Sequence, residues 1–200
     1  MIISMLPVYI FKLGNEIINQ NKFCILNFVK NFELVMPNNI ISDKAKIGKN
    51  VEIGSFCIID DDVVIGDNTI IKSYVELRKA TIIGKNCYID SRVSSSGNCI
   101  IGDNVTIRYD SIIARGIKIG DGTYICPKVM TNNLNTEHEQ IGGAHIGKNV
   151  FIGTGCVIQH GIEIGDNTVL GSMSFINKNV PKDEVWFGNP AKFQKKIKKA

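Results

Sequence analysis

The chain has 200 residues and a formal net charge of +4, so it is long enough for one domain, with or without small appendages. Five lysines (192, 195, 196, 198 and 199) lie in the last nine positions, but no basic face with interleaved aromatic residues accompanies them, which argues against a nucleic-acid partner. Residues 1–11 are apolar yet too short to span a membrane, and they lack the features of a signal peptide. We therefore expect a cytoplasmic protein without a membrane partner.

Residues 1–38 do not follow the repeat that governs the rest of the chain. Ile10, Phe11, Leu13, Ile17 and Ile18 are spaced to form one face of a helix. We expect this segment to cap the open end of the repeat structure, because unpaired strand edges invite aggregation. A role in subunit contact or in holding an acceptor substrate is the alternative.

From residue 41 onwards an aliphatic residue recurs every six positions. A period of six fits neither a helix nor a long strand, but from Ile47 onwards the residue two places before each aliphatic is small or β-branched, which is typical of a short strand followed by a corner. The row comprises Ile41, Ile47, Ile53, Ile59, Ile65, Ile71, Leu77, Ile83, Ile89, Ile101, Ile107, Ile113, Ile119 and Ile125, and then Ile146, Ile152, Ile158, Ile164, Leu170 and Ile176. Ser95 is the one exception between residues 41 and 125.

An Ile-Gly pair recurs every 18 residues within this row. It is usually followed by Lys or Asp and then Asn, as in Ile65-Gly66-Asp67-Asn68. Three hexads therefore form one triangular coil, and stacked coils pair as parallel sheets with the aliphatic residues inside. Gly and Asn supply the corners, which need unusual backbone dihedral angles.

The pattern Ile/Leu/Val-Gly-x-x-small-x over residues 41–190 resembles the hexapeptide repeat of left-handed parallel β-helix acyltransferases. The resemblance implies an all-β protein with a left-handed parallel β-helix over residues 39–180, a short N-terminal cap and a C-terminal extension over residues 181–200. The run from Val185 to Lys192 is similar to the segment that follows the β-helix in this family. Phe193 and Ile197 then predict a short helix over residues 191–199.

Six cysteines raise the question of disulfides. Cys57, Cys87, Cys99 and Cys156 each occupy the small-residue position of a hexad, and the first three fall at different places in the 18-residue coil. We therefore expect reduced thiols that pack as small apolar residues, as is usual in the cytoplasm.

Residues 128–143 interrupt the repeat. The step from Ile125 to Ile146 spans 21 residues where 18 would keep the phase, and Thr131 and Glu137 fall where aliphatic residues belong. A polar excursion from a rigid scaffold must project outward and is a common location of functional residues.

The resemblance implies that an imidazole near the end of such an excursion removes the proton from the acceptor. His138 is the first choice as general base, because imidazole titrates near neutral pH, with Glu137 to stabilise its cation and Asn133 as a further catalytic residue. His145 and His160 occupy variable hexad positions that can face outward. Backbone N–H groups of Gly142, Gly143 or Gly155 are candidates to stabilise the thioester oxygen.

The resemblance also implies that coenzyme A lies in a groove between neighbouring β-helices of a homotrimer. Gly153, Gly171 and Ser172 are small and leave room for the pantetheine arm. Asn189, Pro190 and Lys192 match the family segment that approaches the nucleotide end.

These features predict an acetyl-CoA-dependent acetyltransferase that needs no metal. The stretch from Met130 to Asn132 is similar to enzymes that acetylate the amino group of a nucleotide-linked amino-deoxy sugar. O-acetylation of a saccharide and acetylation of a xenobiotic or antibiotic are the alternatives, and a non-catalytic β-helix scaffold is a third. The three histidines are spaced seven and fifteen residues apart, which does not fit the three-histidine zinc site of γ-type carbonic anhydrases.

Overall fold

A computed structural model describes residues 11–13, 16–18, 38–139 and 141–198, and the chain divides into two compact units, Met1–Asn38 and Asn39–Ala200. In the first unit β1 (Phe11–Leu13) pairs antiparallel with β2 (Glu16–Ile18). The helical face predicted over these residues is therefore wrong, in keeping with the strand preference of aromatic and β-branched residues. The capping role of residues 1–38 stays a prediction.

The second unit is a parallel β-helix of about eight turns, built from two-residue strands in three sheets. Sheet I contains β3 (Ile40–Ile41), β6 (Ile58–Ile59), β9 (Glu76–Leu77), β12 (Ser94–Ser95), β15 (Ile112–Ile113), β18 (Met130–Thr131), β21 (Val157–Ile158) and β24 (Phe175–Ile176). Sheet II contains β4 (Lys46–Ile47), β7 (Val64–Ile65), β10 (Ile82–Ile83), β13 (Ile100–Ile101), β16 (Lys118–Ile119), β19 (His145–Ile146) and β22 (Glu163–Ile164). Sheet III contains β5 (Glu52–Ile53), β8 (Ile70–Ile71), β11 (Tyr88–Ile89), β14 (Thr106–Ile107), β17 (Tyr124–Ile125), β20 (Phe151–Ile152) and β23 (Val169–Leu170), followed by β25 (Glu184–Gly188) and β26 (Ala191–Lys196).

The register of the strands confirms the predicted 18-residue coil. Ile65 pairs with Ile83, and Ile83 pairs with Ile101, so each coil lies directly beside the next. From β6 to β24 the second residue of each strand is buried, and the aliphatic residues at these positions form the hydrophobic core. Ile41 and Ile47 of the first coil also belong to the predicted row but are each 41% exposed. The exception in the row, Ser95, is also buried, and its hydroxyl accepts a hydrogen bond from the Arg78 N–H (3.1 Å).

The recurring Ile-Gly-Asp-Asn sequence has a structural reason at each position. A methyl group at Gly66 would lie 2.5 Å from the carbonyl carbon of Gly84, so this position must be glycine for the coils to approach. The carboxylate of Asp67 accepts a hydrogen bond from the Lys49 N–H (2.9 Å) in the preceding coil. Asn68 has a φ of 57°, a left-handed conformation that asparagine tolerates better than most residues.

The cysteines serve the packing of the coil, as predicted. All five that the structure describes are free thiols, and Cys57, Cys87, Cys99 and Cys156 are buried. Burial raises the pKa of each of these four thiols, which keeps them neutral.

The C-terminal extension continues sheet III. Val180 still forms a bridge to Ile164 in the coil, after which β25 pairs parallel with β23 and then antiparallel with β26. The predicted helix over 191–199 is wrong for residues 191–196, because β25 offers these residues a free strand edge. Ala191 is buried, and Trp186 packs against the core.

Two neighbouring isoleucines of β13 test the assignment of interior and exterior positions. Ile101 is 3% exposed and Ile100 is 46% exposed. We expect Ile101→Ala to lower the free energy of unfolding by about 2–5 kcal/mol, because it leaves a cavity between packed coils. Ile100→Ala should change it by less than about 0.5 kcal/mol. Equal effects in chemical denaturation would contradict the register.

Candidate functional site

The excursion lies at the corner that joins sheet I to sheet II, which we name the I–II corner. Ile119 pairs with Ile146 and Ile125 with Ile152, 27 positions later rather than 18, so the insertion is nine residues long. Residues 128–131 were predicted to belong to the excursion but remain in the coil, since β18 pairs with β21 in sheet I. The excursion therefore spans residues 132–143.

Thr131 anchors the start of the excursion. It occupies an interior position of sheet I and is buried. Its hydroxyl accepts a hydrogen bond from the Ala114 N–H (2.7 Å) and donates one to the carbonyl of Ile112 (3.1 Å). The polar residue that interrupts the aliphatic row is thus fully satisfied, which explains how the coil tolerates it.

The excursion folds back on itself through backbone and side-chain hydrogen bonds. The Gly142 N–H donates to the carbonyl of Asn133 (3.2 Å), which closes its base. Near its tip, the amide oxygen of Asn135 accepts hydrogen bonds from the N–H groups of Glu137 (3.1 Å) and Glu139 (2.8 Å). This framework presents His138 in a left-handed conformation with a φ of 63°.

The side chain of His138 is exposed and forms no hydrogen bond or ion pair with any residue that the structure describes. The two flanking carboxylates bond elsewhere. Glu137 accepts from the hydroxyl of Thr136 (2.9 Å), and Glu139 accepts from the amide of Asn135 (2.9 Å). Within the part of the chain that the structure describes, the imidazole is therefore positioned by the backbone and is exposed to solvent.

Two of the three backbone donors predicted for the thioester oxygen are already engaged. The N–H of Gly142 donates to Asn133, and the N–H of Gly155 donates to the carbonyl of Pro127 (3.0 Å). Gly143 has no such bond among the described residues, but it is buried against Ile117, where an added methyl group would meet the backbone nitrogen.

The other histidines lie on different faces. His145 is exposed on sheet II, between Lys118 of the preceding coil and Glu163 of the following one. His160 lies on the I–II corner one coil after the excursion, and its Nδ1 is shielded from solvent without a hydrogen-bond partner.

The residues predicted to bind coenzyme A lie away from the excursion. Gly153 and Gly171 follow strands of sheet III, and Ser172 begins the corner from sheet III to sheet I. Asn189 and Pro190 are exposed between β25 and β26, and the Asn189–Pro190 peptide is cis. The I–II corner is opposite sheet III in a triangular coil. One chain therefore does not bring the residues predicted to bind coenzyme A close to the excursion.

The packing of the coils explains why the predicted pantetheine site contains glycines. A methyl group at Gly153 would lie 2.5 Å from the Ser172 nitrogen, and one at Gly171 would lie 2.6 Å from the Cβ of Phe187. Their small size is required for coil packing whether or not a ligand lies beside them.

Two cavities open on the outer surface of the coils. One of about 380 Å³ lies on sheet I at the base of the excursion, and sequence reasoning missed it; it is lined by Ser96, Ile112, Ala114, Met130, Thr131, Asn132, Asn133 and Leu134. The other, of about 530 Å³, lies on sheet II between His145, Glu163 and Lys182.

In the described part of the chain, no three His, Cys, Asp or Glu side chains are grouped to hold a metal ion. No helix in that part is long and apolar enough to cross a membrane.

Comparison with known proteins identifies the repeat. The family described as bacterial transferase hexapeptide (six repeats) matches residues 44–79 and 143–178. These two segments therefore contain the hexapeptide repeat that the sequence predicted, and the resemblance to hexapeptide-repeat acyltransferases is confirmed. Curated proteins give no match.

Solved structures similar to this chain include three UDP-N-acetylglucosamine acyltransferases. One is 24% identical over 79% of this chain and 72% of its own, with a TM-score of 0.64. That of Bacteroides fragilis 9343 is 23% identical over 80% and 73%, with a TM-score of 0.63. The O-acyltransferase of Moraxella catarrhalis RH4 is 27% identical over 82% and 74%, with a TM-score of 0.56.

The Thr131 hydroxyl provides a test of how the excursion is anchored. We expect Thr131→Val to lower the free energy of unfolding by about 1–3 kcal/mol, because the Ala114 N–H and the Ile112 carbonyl each lose a buried partner. Thr106→Val, on the outer face of β14, is the matched control and should change it by less than about 0.5 kcal/mol. Urea denaturation of both variants measures the two free energies of unfolding. Equal losses would show that the hydroxyl of Thr131 does not anchor the excursion.

Proposed function

We propose that this protein is an acyltransferase that moves an acetyl group from acetyl-CoA to the amino group of a nucleotide-linked amino-deoxy sugar. The observation that carries the proposal is the excursion at residues 132–143, which presents an exposed imidazole beside a regular β-helix. The similarity to an O-acyltransferase of UDP-N-acetylglucosamine supports a nucleotide sugar as the acceptor.

His138 acts as the general base in this proposal. As the acceptor nitrogen attacks the thioester carbonyl, the imidazole takes its proton, a new C–N bond forms and the C–S bond breaks. The proton then returns from the imidazolium to the departing thiolate of coenzyme A. Glu137 and Asn133, which lie on the same excursion, stabilise the imidazolium and position the acceptor. None of the three glycine N–H groups is assigned to the thioester oxygen, because those of Gly142 and Gly155 are hydrogen-bonded and Gly143 is buried.

We propose a homotrimer, in which neighbouring chains bring together the two groups of site residues that one chain keeps apart. His138 lies on the I–II corner, whereas Gly153, Gly171, Ser172 and the tail residues Asn189, Pro190 and Lys192 lie on and around sheet III. We propose that the excursion of one chain faces the donor-binding surface of its neighbour, and that cyclic symmetry repeats this arrangement three times. The exposed Lys192 then contributes a positive charge for the nucleotide end of coenzyme A.

Transfer to a hydroxyl group is the second candidate. The similar Moraxella catarrhalis protein is named as an O-acyltransferase, an enzyme that acylates an oxygen atom. A general base on the excursion would remove a proton from a hydroxyl group as well as from an amine. Free-thiol release from acetyl-CoA against paired amino and hydroxyl forms of nucleotide-linked sugars separates the two. Turnover of hydroxyl acceptors alone would exclude the amino sugar, and turnover of neither would exclude acetyl transfer to these sugars.

Replacement of the base gives a direct test. We expect His138→Ala to lower kcat/KM by about 10²–10⁴-fold, the usual contribution of general acid–base catalysis, and to leave the thermal melting temperature unchanged because the side chain is exposed. His145→Ala, another exposed histidine, is the control and should retain kcat/KM within about twofold. A loss of less than about tenfold in His138→Ala would exclude it as the base.

A further inference from the structure

The end of the excursion that carries His138 is a small closed loop of residues 135–139, which we name the tip loop. The N–H of Asn135 donates to the carbonyl of Glu139 (3.2 Å). The N–H of His138 donates to the carbonyl of Asn135 (3.2 Å). These two backbone bonds both involve Asn135 and bring the ends of the tip loop together.

The side chain of Asn135 adds three more hydrogen bonds to the tip loop. Its amide oxygen accepts from the N–H groups of Glu137 (3.1 Å) and Glu139 (2.8 Å). Its amide nitrogen donates to the carboxylate of Glu139 (2.9 Å). Asn135 therefore uses all four of its polar groups to close the loop, and asparagine suits this position because its side chain readily bonds nearby backbone groups.

Asn135 is the inner residue of the tip loop. Its side chain is half-buried, whereas the four residues that follow it are exposed. The hydroxyl of Thr136 donates to the carboxylate of Glu137 and not to the backbone. Among the described residues of the excursion, Asn135 is thus the one whose side chain holds the backbone of the tip loop.

The backbone of His138 depends on this support. Its φ of 63° is uncommon for a residue with a side chain, and such a conformation persists only where the surrounding contacts hold it. The N–H groups on either side of His138, those of Glu137 and Glu139, both donate to the amide oxygen of Asn135. The direction in which the imidazole leaves the excursion is therefore set by a side chain three positions earlier in the chain.

We propose that Asn135 is a positioning residue for acyl transfer, a proposal that rests on the function proposed above. Its side chain holds the backbone of His138 so that the imidazole reaches the acceptor. A general base works only within hydrogen-bond reach of the proton that it removes, and a small displacement of the base slows the reaction. Asn135 touches neither substrate and acts only through His138.

Steady-state kinetics on the full chain test this role. We expect Asn135→Ala to lower kcat by about 10–10²-fold and to leave KM unchanged, because it misplaces the base without removing a contact to substrate. Asn135→Asp keeps the oxygen that accepts from the two backbone N–H groups and should recover part of kcat. Because the coil is continuous on both sides of the excursion, we expect both variants to fold.

The matched control is Asn179→Ala. The side chain of Asn179 also accepts a hydrogen bond from a backbone N–H, that of Glu163 (2.9 Å), but it lies outside the excursion. This variant loses the same kind of bond and should retain kcat. A loss in Asn135→Ala no larger than that in Asn179→Ala would overturn the proposal.

A double substitution separates positioning from a general structural role. Once His138→Ala has removed the imidazole, no base is left to position, so the addition of Asn135→Ala should lower kcat no further. Independent roles of the two side chains would multiply the two losses. Multiplied losses would therefore overturn the proposal.

Amide hydrogen exchange supplies a readout that does not depend on activity. We expect the N–H groups of Glu137, His138 and Glu139 to exchange faster in Asn135→Ala than in the unchanged protein, while exchange in the coil stays the same. Unchanged exchange at these three groups would overturn the proposal, because the tip loop would then not depend on the side chain of Asn135. Faster exchange in a protein that transfers no acyl group would instead overturn the proposed function and leave the support of His138 by Asn135 intact.

Discussion

Each coil of this protein must follow the coil before it at the spacing of one strand, about 4.8 Å, over its whole circumference. That close approach decides which residues the chain can use. It requires glycine at positions such as Gly66, where any side chain would overlap the next coil, and left-handed residues such as Asn68 at the corners. It also stacks the second residue of each strand into one continuous apolar core, so neighbouring coils stabilise one another.

The same constraint determines where a functional group can be placed. Residues inside the coil are fixed by their neighbours above and below, so a polar side chain is tolerated there only when it is fully hydrogen-bonded, as Ser95 and Thr131 are. A nine-residue insertion at a corner leaves the register on both sides intact, since Ile119 still pairs with Ile146. The excursion can therefore present His138 to solvent without a cost to the coil that supports it.

The periodic part of the structure could be predicted from the sequence because each hexad repeats one local rule, and three sheets follow from the 18-residue spacing of Ile-Gly. Features that depend on a free edge or on the length of an insertion could not. Residues 191–196 carry the spacing of a helix but pair with β25, whose edge is created only by the folded coil. The 21 residues from Ile125 to Ile146 exceed one 18-residue coil by three, which predicted an insertion of three residues. The strand register shows an insertion of nine, because Thr131 still occupies an interior position of sheet I.

The candidate site was predictable to the extent that it lies within the break in the repeat. His138 and the excursion follow from the lost phase, but the engagement of the Gly142 N–H depends on how the excursion folds back on itself, and that of the Gly155 N–H depends on a contact between coils.

Removal of the insertion tests most directly whether the excursion carries the chemistry while the coil carries the fold. Deletion of residues 134–142 joins Asn133 to Gly143 and restores the 18-residue spacing between Ile119 and Ile146. We expect the shortened protein to unfold at the same or a higher temperature, because the coil remains continuous, and to lose acyl transfer by at least about 10²-fold. Acyl transfer at the rate of the full chain, in a protein that still folds, would contradict the assignment of catalysis to the excursion.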